Sequence, residues 1–198
     1  HEFSGVIEEI VGSSSFHVGD RVVIEPTLSC GHCEACRSGQ KHVCKTLRLI
    51  GIDLDGGFAE YVSVPLDRLH LIPDELSDAT ASLAEPVAVA VHTVRKSGLK
   101  VGERVAILGA GPIGLLIGLL AKQAGAGQII ISDISPYRLK KARELGFIAL
   151  DAKELDVTDE VLKVTNGIGV DVVFEVAGTQ VTAKQMVEII KIQGQIPL

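Results

Sequence analysis

Four cysteines fall within fifteen residues, and the rest of the 198-residue chain has none. Cys30, Cys33, Cys36 and Cys44 are spaced C-x2-C-x2-C-x7-C. Two-residue gaps let successive thiolates converge on one ion in tight turns, and the seven-residue gap closes a loop back onto it. Four thiolates suit a tetrahedral zinc site with no open position, a structural site that replaces a hydrophobic core in a lobe of residues 27–47. Gly31 and Gly39 supply its turns. Two alternatives stay open at this point: a redox C-x-x-C pair, and mixed ligation by His32 or His42. Clustered cysteines of this kind belong to a reducing compartment, so the chain is expected to be cytoplasmic.

A second constellation lies at Gly109-Ala110-Gly111-Pro112-Ile113-Gly114, between an apolar run (105–108) and an apolar helical stretch. A β-branched run (129–131) follows and closes on Asp133, nineteen positions beyond Gly114. Strand, glycine turn, helix, strand and acid form the dinucleotide-binding fingerprint. Gly109 permits the sharp exit from the strand, Gly111 lets backbone approach a pyrophosphate, and Gly114 lets helix and strand pack closely. Pro112 and Ile113 open the helix, whose N-terminal N–H groups and partial positive charge face the phosphates. Asp133 is placed to accept hydrogen bonds from ribose hydroxyls and to repel a 2′-phosphate, which favours NAD over NADP. The competing reading is a glycine turn in some other parallel-sheet protein.

The elements that must position these residues change character along the chain. Residues 1–73 alternate short β-like runs with Gly and Pro, including 6–7, 10–11, 21–24, 58–64 and 69–72, which argues for an antiparallel all-β domain. Ser77 or Asp78 caps a short helix, Pro86 suits the first turn of a longer one, and Gly98 ends it. From Arg104 onward strands and helices alternate. The expected strands cover 147–150, 170–176 and a terminal stretch at 194–198, and the helices 113–124, 136–145, 157–164 and 181–190. That alternation predicts an α/β doubly wound parallel sheet. The predicted division is 1–84 and 85–198.

Composition excludes several classes. The content is 46% hydrophobic and 22% charged, ordinary for a globular protein, and the net charge of -6 with no basic run disfavours nucleic acid. The longest apolar stretch is too short to span a membrane, and no signal-peptide pattern is present. The chain opens without Met and stops inside an expected strand, so both edges are read as cut.

Together these features resemble the zinc-dependent medium-chain dehydrogenase/reductase family, nearest its polyol (sorbitol-type), threonine and butanediol dehydrogenases. The matching residues are His1-Glu2-Phe3-Ser4-Gly5-Val6, Gly19-Asp20-Arg21-Val22, the cysteine lobe and Gly56-Gly57-Phe58-Ala59-Glu60-Tyr61. Further matches are Ala84-Glu85-Pro86, the Gly109 to Gly114 turn, Asp171-Val172-Val173-Phe174-Glu175 and Gly178. The resemblance implies a partial GroES-like catalytic domain, then an NAD-binding Rossmann domain, with the active site in the cleft between them. It implies that His1 ligates a catalytic zinc, that Glu2 ligates it directly or through water, and that Glu85 can enter the same sphere. The family's catalytic cysteine and proton-relay hydroxyl lie upstream of this His-Glu pair, so the resemblance implies that these residues alone hold an incomplete catalytic zinc site, and the family chain returns to the β domain after the Rossmann portion. Outside the resemblance, His1 and Glu2 read as surface residues and Glu85 as an acid near a helix start.

Two functions follow. One is a zinc- and NAD-dependent oxidoreductase acting on a secondary alcohol (a polyol, diol or hydroxy amino acid), with Arg138 covering the adenine and Gly178 bordering the cofactor cleft. Arg138 is otherwise a solvated helix charge, and His92 a packed histidine. The other is a non-catalytic NAD-binding or assembly module that keeps the structural zinc. The resemblance implies a homodimer or homotetramer.

Overall fold

The computed structural model describes residues 1–197. It separates into two compact units, His1–Glu85 and a second beginning at Pro86.

The first unit is built on a three-stranded antiparallel sheet. Strand β1 (Ser4–Val6) pairs with β2 (Arg21–Ile24), which pairs on its other edge with a strand at Leu69–Leu71. Val22 and Ile24 alternate inward along β2 and join Ile7, Ile50 and Leu69 in a small core, with Phe3, Phe16 and Val64 packed against it. A short ribbon, β3 (Thr27–Leu28) with β4 (Arg48–Leu49), forms the neck of the cysteine lobe, which carries the one-turn helix α1 (Glu34–Arg37). The neck is pinned to the unit by Arg68. Its guanidinium, 12% exposed, bonds the Glu25 carboxylate at 2.9 Å and the Thr27 carbonyl. The Leu69–Leu71 strand is β5, and α2 (Asp78–Ala81) follows, capped by Ser77 through the Thr80 N–H.

Two expected strands are absent. Residues 58–64 pair with no strand among the described residues, and Phe58 and Tyr61 stand exposed. Residues 10–11 are likewise unpaired. Alternating apolar residues make a strand only when a neighbour completes the hydrogen-bond ladder, and neither segment has one.

The long helix α3 (Ala84–Lys96) leads into the second unit, with Pro86 in its first turn. Strands β6 (Arg104–Leu108), β7 (Gln128–Asp133), β8 (Ile148–Asp151), β9 (Val170–Glu175) and β10 (Ile190–Gln195) form one all-parallel sheet in the order β10-β9-β6-β7-β8. Because parallel strands need crossovers, helices α4 (Pro112–Gln123), α5 (Pro136–Glu144), α6 (Val157–Val164) and α7 (Gln180–Ile189) alternate with them. Val105, Ile107, Ile129 and Ile131 point to the face covered by Ala90, Ile117, Ala121 and Ala142 of α3, α4 and α5. Ala106, Leu108, Ile130 and Val173 point to the opposite face, covered by Val157, Val161 and Ile189 of α6 and α7. Burial on both faces explains why these strands read as continuous apolar runs. The switch in winding direction falls between β6 and β9, where α/β sheets open a crevice at their carboxyl edge.

The fifth strand begins at Ile190, directly after α7, rather than at Gly194. Gly194 lies inside an irregular stretch of β10, where a Cβ would overlap the Ile190 side chain and approach the Asp171 carbonyl at 3.0 Å. Leu198, the end of the expected strand, lies outside the described residues.

An ion pair ties this edge strand down. Asp171 bonds the Lys191 ammonium and accepts the Arg104 N–H at 2.7 Å. Burial raises the Asp171 carboxyl, but the hydrogen bonds and charges of Lys191 and Arg104 together hold it below the usual carboxylate range. A carboxylate depressed in the folded state stabilises above its unfolded value and loses that contribution as pH falls through the folded one. Asp171→Asn is therefore expected to lower stability by on the order of 1–2 kcal/mol at neutral pH. Urea unfolding at falling pH should show the variant and wild-type curves converging in acid; a gap independent of pH would refute the ion-pair account.

Candidate functional site

The cysteine lobe brings all four sulfurs together. Cys33 Sγ lies 3.4 Å from Cys36 Sγ and 3.9 Å from Cys44 Sγ, and Cys30 Sγ lies 3.9 Å from Cys36 Sγ. A tetrahedron of sulfurs around zinc at about 2.3 Å has edges of about 3.8 Å, so the spacing fits a closed four-thiolate zinc site. The backbone is shaped for thiolates as well. The Cys30 N–H points at Cys44 Sγ and the Cys33 N–H at Cys30 Sγ, each 3.4 Å away. Backbone donation from His32 and Cys33 pulls the Cys30 thiol down to about 6, while burial pushes the Cys36 thiol up to about 11. A cation at the centre removes that conflict by stabilising all four thiolates, so uptake of zinc releases protons. His32 is not among the converging donors, since its Nδ1 bonds the Cys30 carbonyl at 2.8 Å. His42 also stays outside the converging set.

A second donor set forms in the same unit. His1, Glu2 and Glu85 place their ligand atoms within 4.8 Å of one another, although 84 positions separate the first from the last. His1 Nδ1 lies 3.4 Å from Glu85 Oε1, close to the donor–donor edge of about 3.4 Å in a tetrahedral zinc site with bonds near 2.1 Å. Burial, then the neighbouring Glu2 charge, raises the Glu85 carboxyl. Two carboxylates pressed together beside an imidazole make a concentration of negative charge that a divalent cation would relieve. These three donors by themselves do not complete a tetrahedral zinc site.

Two glycines pack against this set, Gly51, which the sequence did not single out, and Gly57, which entered only with the Gly56 to Tyr61 match. Gly51, at φ +87°, packs on the His1 backbone, where a Cβ would come within 2.8 Å of the His1 nitrogen. A Cβ on Gly57 would overlap the Phe3 ring. These glycines seat the His1-Glu2-Phe3 segment.

In the second unit the glycine turn closes β6 at the carboxyl edge of the sheet. Gly109 takes φ +115°, where its missing Cβ clears the Ala177 nitrogen and the Val176 carbonyl carbon at 3.2 Å. A Cβ on Gly114 would overlap the Gly109 carbonyl oxygen. Gly111 differs, because a Cβ there would meet nothing within 4 Å. The protein's own packing does not require glycine at 111. Gly111 caps α4 without any side-chain hydrogen bond, Pro112 occupies the first turn, and the N–H groups of Ile113 and Gly114 precede the helix's hydrogen-bonded ladder.

Asp133 ends β7 beside this turn. One of its oxygens accepts the Ala110 N–H and the other the Ser135 N–H, both at 2.8 Å. Arg138, half exposed on α5, places its guanidinium 3.5 Å from the Asp133 carboxylate. Ser135 caps α5 through position alone; its side chain makes no capping bond. Gly178 lies in the turn after β9, with its N–H given to Glu175 Oε1 at 2.9 Å. That same oxygen takes the Ala177 N–H and the Thr182 hydroxyl, so Glu175 shapes the loop that abuts Gly109. The sequence signal for this role was an acid just ahead of an Ala-Gly turn and a Thr-x-x-Thr cap.

A thiolate lobe on a small antiparallel unit, joined to a parallel sheet with a glycine turn, defines a zinc-lobed chain of dinucleotide-binding architecture. Residues 1–74 match the family model described as alcohol dehydrogenase GroES-like domain, and residues 112–198 match the one described as zinc-binding dehydrogenase. Sorbitol dehydrogenase of Bacillus subtilis (strain 168) is 38% identical over 202 aligned positions, covering the whole chain and 57% of that relative. The crystal structure of 2R,3R-butanediol dehydrogenase from Bacillus subtilis is 42% identical with a TM-score of 0.87, covering 99% of this chain and 56% of that one. A zinc-binding dehydrogenase candidate from Sinorhizobium meliloti 1021, solved bound to NADP, is 40% identical with a TM-score of 0.93, covering 99% and 58%. The chain belongs to the zinc-dependent medium-chain dehydrogenase family, with a GroES-like unit followed by a Rossmann-type sheet. It spans about 58% of the length of the curated relatives it matches. Among the described residues, no helix is long and apolar enough to cross a membrane.

Proposed function

We propose that this chain contributes to a zinc- and NAD-dependent dehydrogenase that oxidises a secondary alcohol, of the polyol, diol or hydroxy amino acid kind. In this reading residues 1–84, joined by Glu85, supply both metal sites, and the rest of residues 85–198 binds the cofactor. The observation that carries it is Gly111, a glycine that nothing in the protein's own packing demands, set at an uncapped helix start. Room for backbone to approach a pyrophosphate explains it.

His1, Glu2 and Glu85 would hold the reactive zinc, and Cys30, Cys33, Cys36 and Cys44 the structural one. When bound, zinc supplies Lewis acidity toward a hydroxyl and the nicotinamide supplies the hydride acceptor. The chain's own residues bind and orient. Ile113 and Gly114 offer N–H groups to the pyrophosphate, Asp133 faces the adenosine ribose, Arg138 flanks the adenine and Gly178 borders the crevice. The negative charge of Asp133 favours NAD, while Arg138 is the nearest cation that could receive a 2′-phosphate. We further propose a homodimer or homotetramer in a reducing cytoplasm, the first from the family resemblance and the second because four free thiols in this geometry need one.

The test uses a chain of the relatives' full length. Two zinc ions per chain and alcohol-dependent NADH formation support the reading; one zinc and no turnover with polyols, diols or threonine would instead support a non-catalytic NAD-binding module. Glu85→Gln is expected to weaken the second zinc at least about tenfold, since even loss of an outer partner of a ligand costs that much. Competition with a chromogenic chelator reads the effect, and unchanged affinity would remove Glu85 from the site.

A further inference from the structure

We propose that Asp133 is a positioning residue for the glycine turn, in addition to the ribose-facing role given above, on whose cofactor reading this inference rests. Asp133 is only 8% exposed, and its position is fixed from several sides. The β6–β7 ladder ends at Leu108↔Ser132, and the Gly109 N–H still reaches the Ser132 carbonyl at 2.8 Å. The next N–H, on fully buried Ala110, bonds the Asp133 carboxylate instead. The carboxylate thus adds one more rung, made by a side chain, between the end of β7 and the middle of the Gly109 to Gly111 segment. Its second oxygen takes the Ser135 N–H, which locks the carboxylate plane, and Arg138 stands beside it.

Both bonded oxygens keep a further lone pair for a ligand hydroxyl, so the two roles are compatible. Removing the side chain leaves the Ala110 N–H buried without its acceptor, and the turn must relax to satisfy it. The turn that relaxes is the one whose backbone would meet the pyrophosphate. Replacing Asp133 to admit a 2′-phosphate therefore costs affinity for the diphosphate, independently of any contact with the ribose.

The experiment separates the roles with two probes, ADP and dideoxy-ADP, the latter lacking both ribose hydroxyls. Calorimetry with zinc-loaded wild type, Asp133→Ala and Asp133→Asn gives the affinities, and hydrogen exchange gives the Ala110 amide protection without probe. Asp133→Ala is expected to weaken dideoxy-ADP about tenfold, the size expected for one lost charge-assisted bond to a buried donor. Asp133→Asn, whose amide oxygen can serve only one of the two N–H groups, is expected to fall between. Ala110 exchange should accelerate in Asp133→Ala, and less in Asp133→Asn, while circular dichroism stays unchanged. Equal dideoxy-ADP affinity in wild type and both variants, with Ala110 protection retained, would overturn the proposal and leave Asp133 a ribose partner alone. If wild type binds neither probe, the cofactor reading fails, and Ala110 exchange still decides the positioning role.

Discussion

Cys36→Ser is expected to cost the protein its structural zinc and, with it, the order of residues 27–50. Cys36 is the most conflicted of the four thiols, because burial opposes its ionisation and three sulfurs crowd it. That conflict is resolved only by a cation, so Cys36 depends on zinc more than Cys30, whose thiol is already held near 6 by backbone donors. The lobe has almost nothing else to hold it. Its buried residues are Cys36, Cys44 and Ile50, and its secondary structure is one helical turn, a 3-10 turn at Lys41–Val43 and a two-residue ribbon. Structural zinc sites contribute on the order of 10–16 kcal/mol of apparent binding energy to folding, and a lobe this small has no apolar burial of that size to set against its loss. A serine hydroxyl is a poor zinc ligand at neutral pH, so the expected loss is several kcal/mol from the first unit. Metal analysis should show one zinc fewer per chain, and proteolysis should open between residues 30 and 48. A Cys36→Ser protein that retains its zinc and its resistance to protease would show that the cluster is not a four-ligand site.

The second large effect separates two glycines three residues apart. Gly114→Ala places a methyl group on the Gly109 carbonyl, so either the turn or α4 must move. Forcing atoms into a packed backbone contact costs typically 1–3 kcal/mol, and here the neighbour is backbone, which cannot swing aside. A loss of about 3 kcal/mol is expected, seen as a fall in the denaturant midpoint. Gly111→Ala has open space to occupy and a φ of −68°, which alanine adopts freely, so its stability should stay within about 0.5 kcal/mol of wild type. Stability changes of equal size at the two positions would contradict the geometry of the turn.

Much of this was readable from residue order, and the reason differs by region. The β6-turn-α4-β7 segment is local: each signal, from the apolar run to Ser135-Pro136, acts within a few residues, and the structure places elements within a residue or two of the pattern. The cysteine lobe is also local, since spacing alone governs whether four sulfurs can meet. Strand pairing is not. Residues 58–64 have the alternation of a half-buried strand, but alternation carries no information about whether a partner edge lies beside them. The end of α7 shows another limit. Ile189, Ile190 and Ile192 suit a helix or a strand equally, and no turn residue separates α7 from β10, so Gly194 was taken for the start of the strand it actually kinks. The His1-Glu2-Glu85 set could not be read from spacing at all; only the family resemblance singled it out, because folding alone brings the two ends of the unit together. Asp133 was recognised as an acid at the end of a strand, while its bond to Ala110 is visible only in three dimensions.

The most direct test of the cofactor assignment is a titration of NAD into wild type and Gly111→Ala, with thermal unfolding followed in parallel. A protein that binds NAD is stabilised by it in proportion to occupancy. The expected result is saturable binding and a raised melting temperature for wild type. For Gly111→Ala the melting temperature without NAD should be unchanged and the binding lost. The account is contradicted if wild type shows no shift at saturating millimolar NAD, or if Gly111→Ala binds as tightly as wild type.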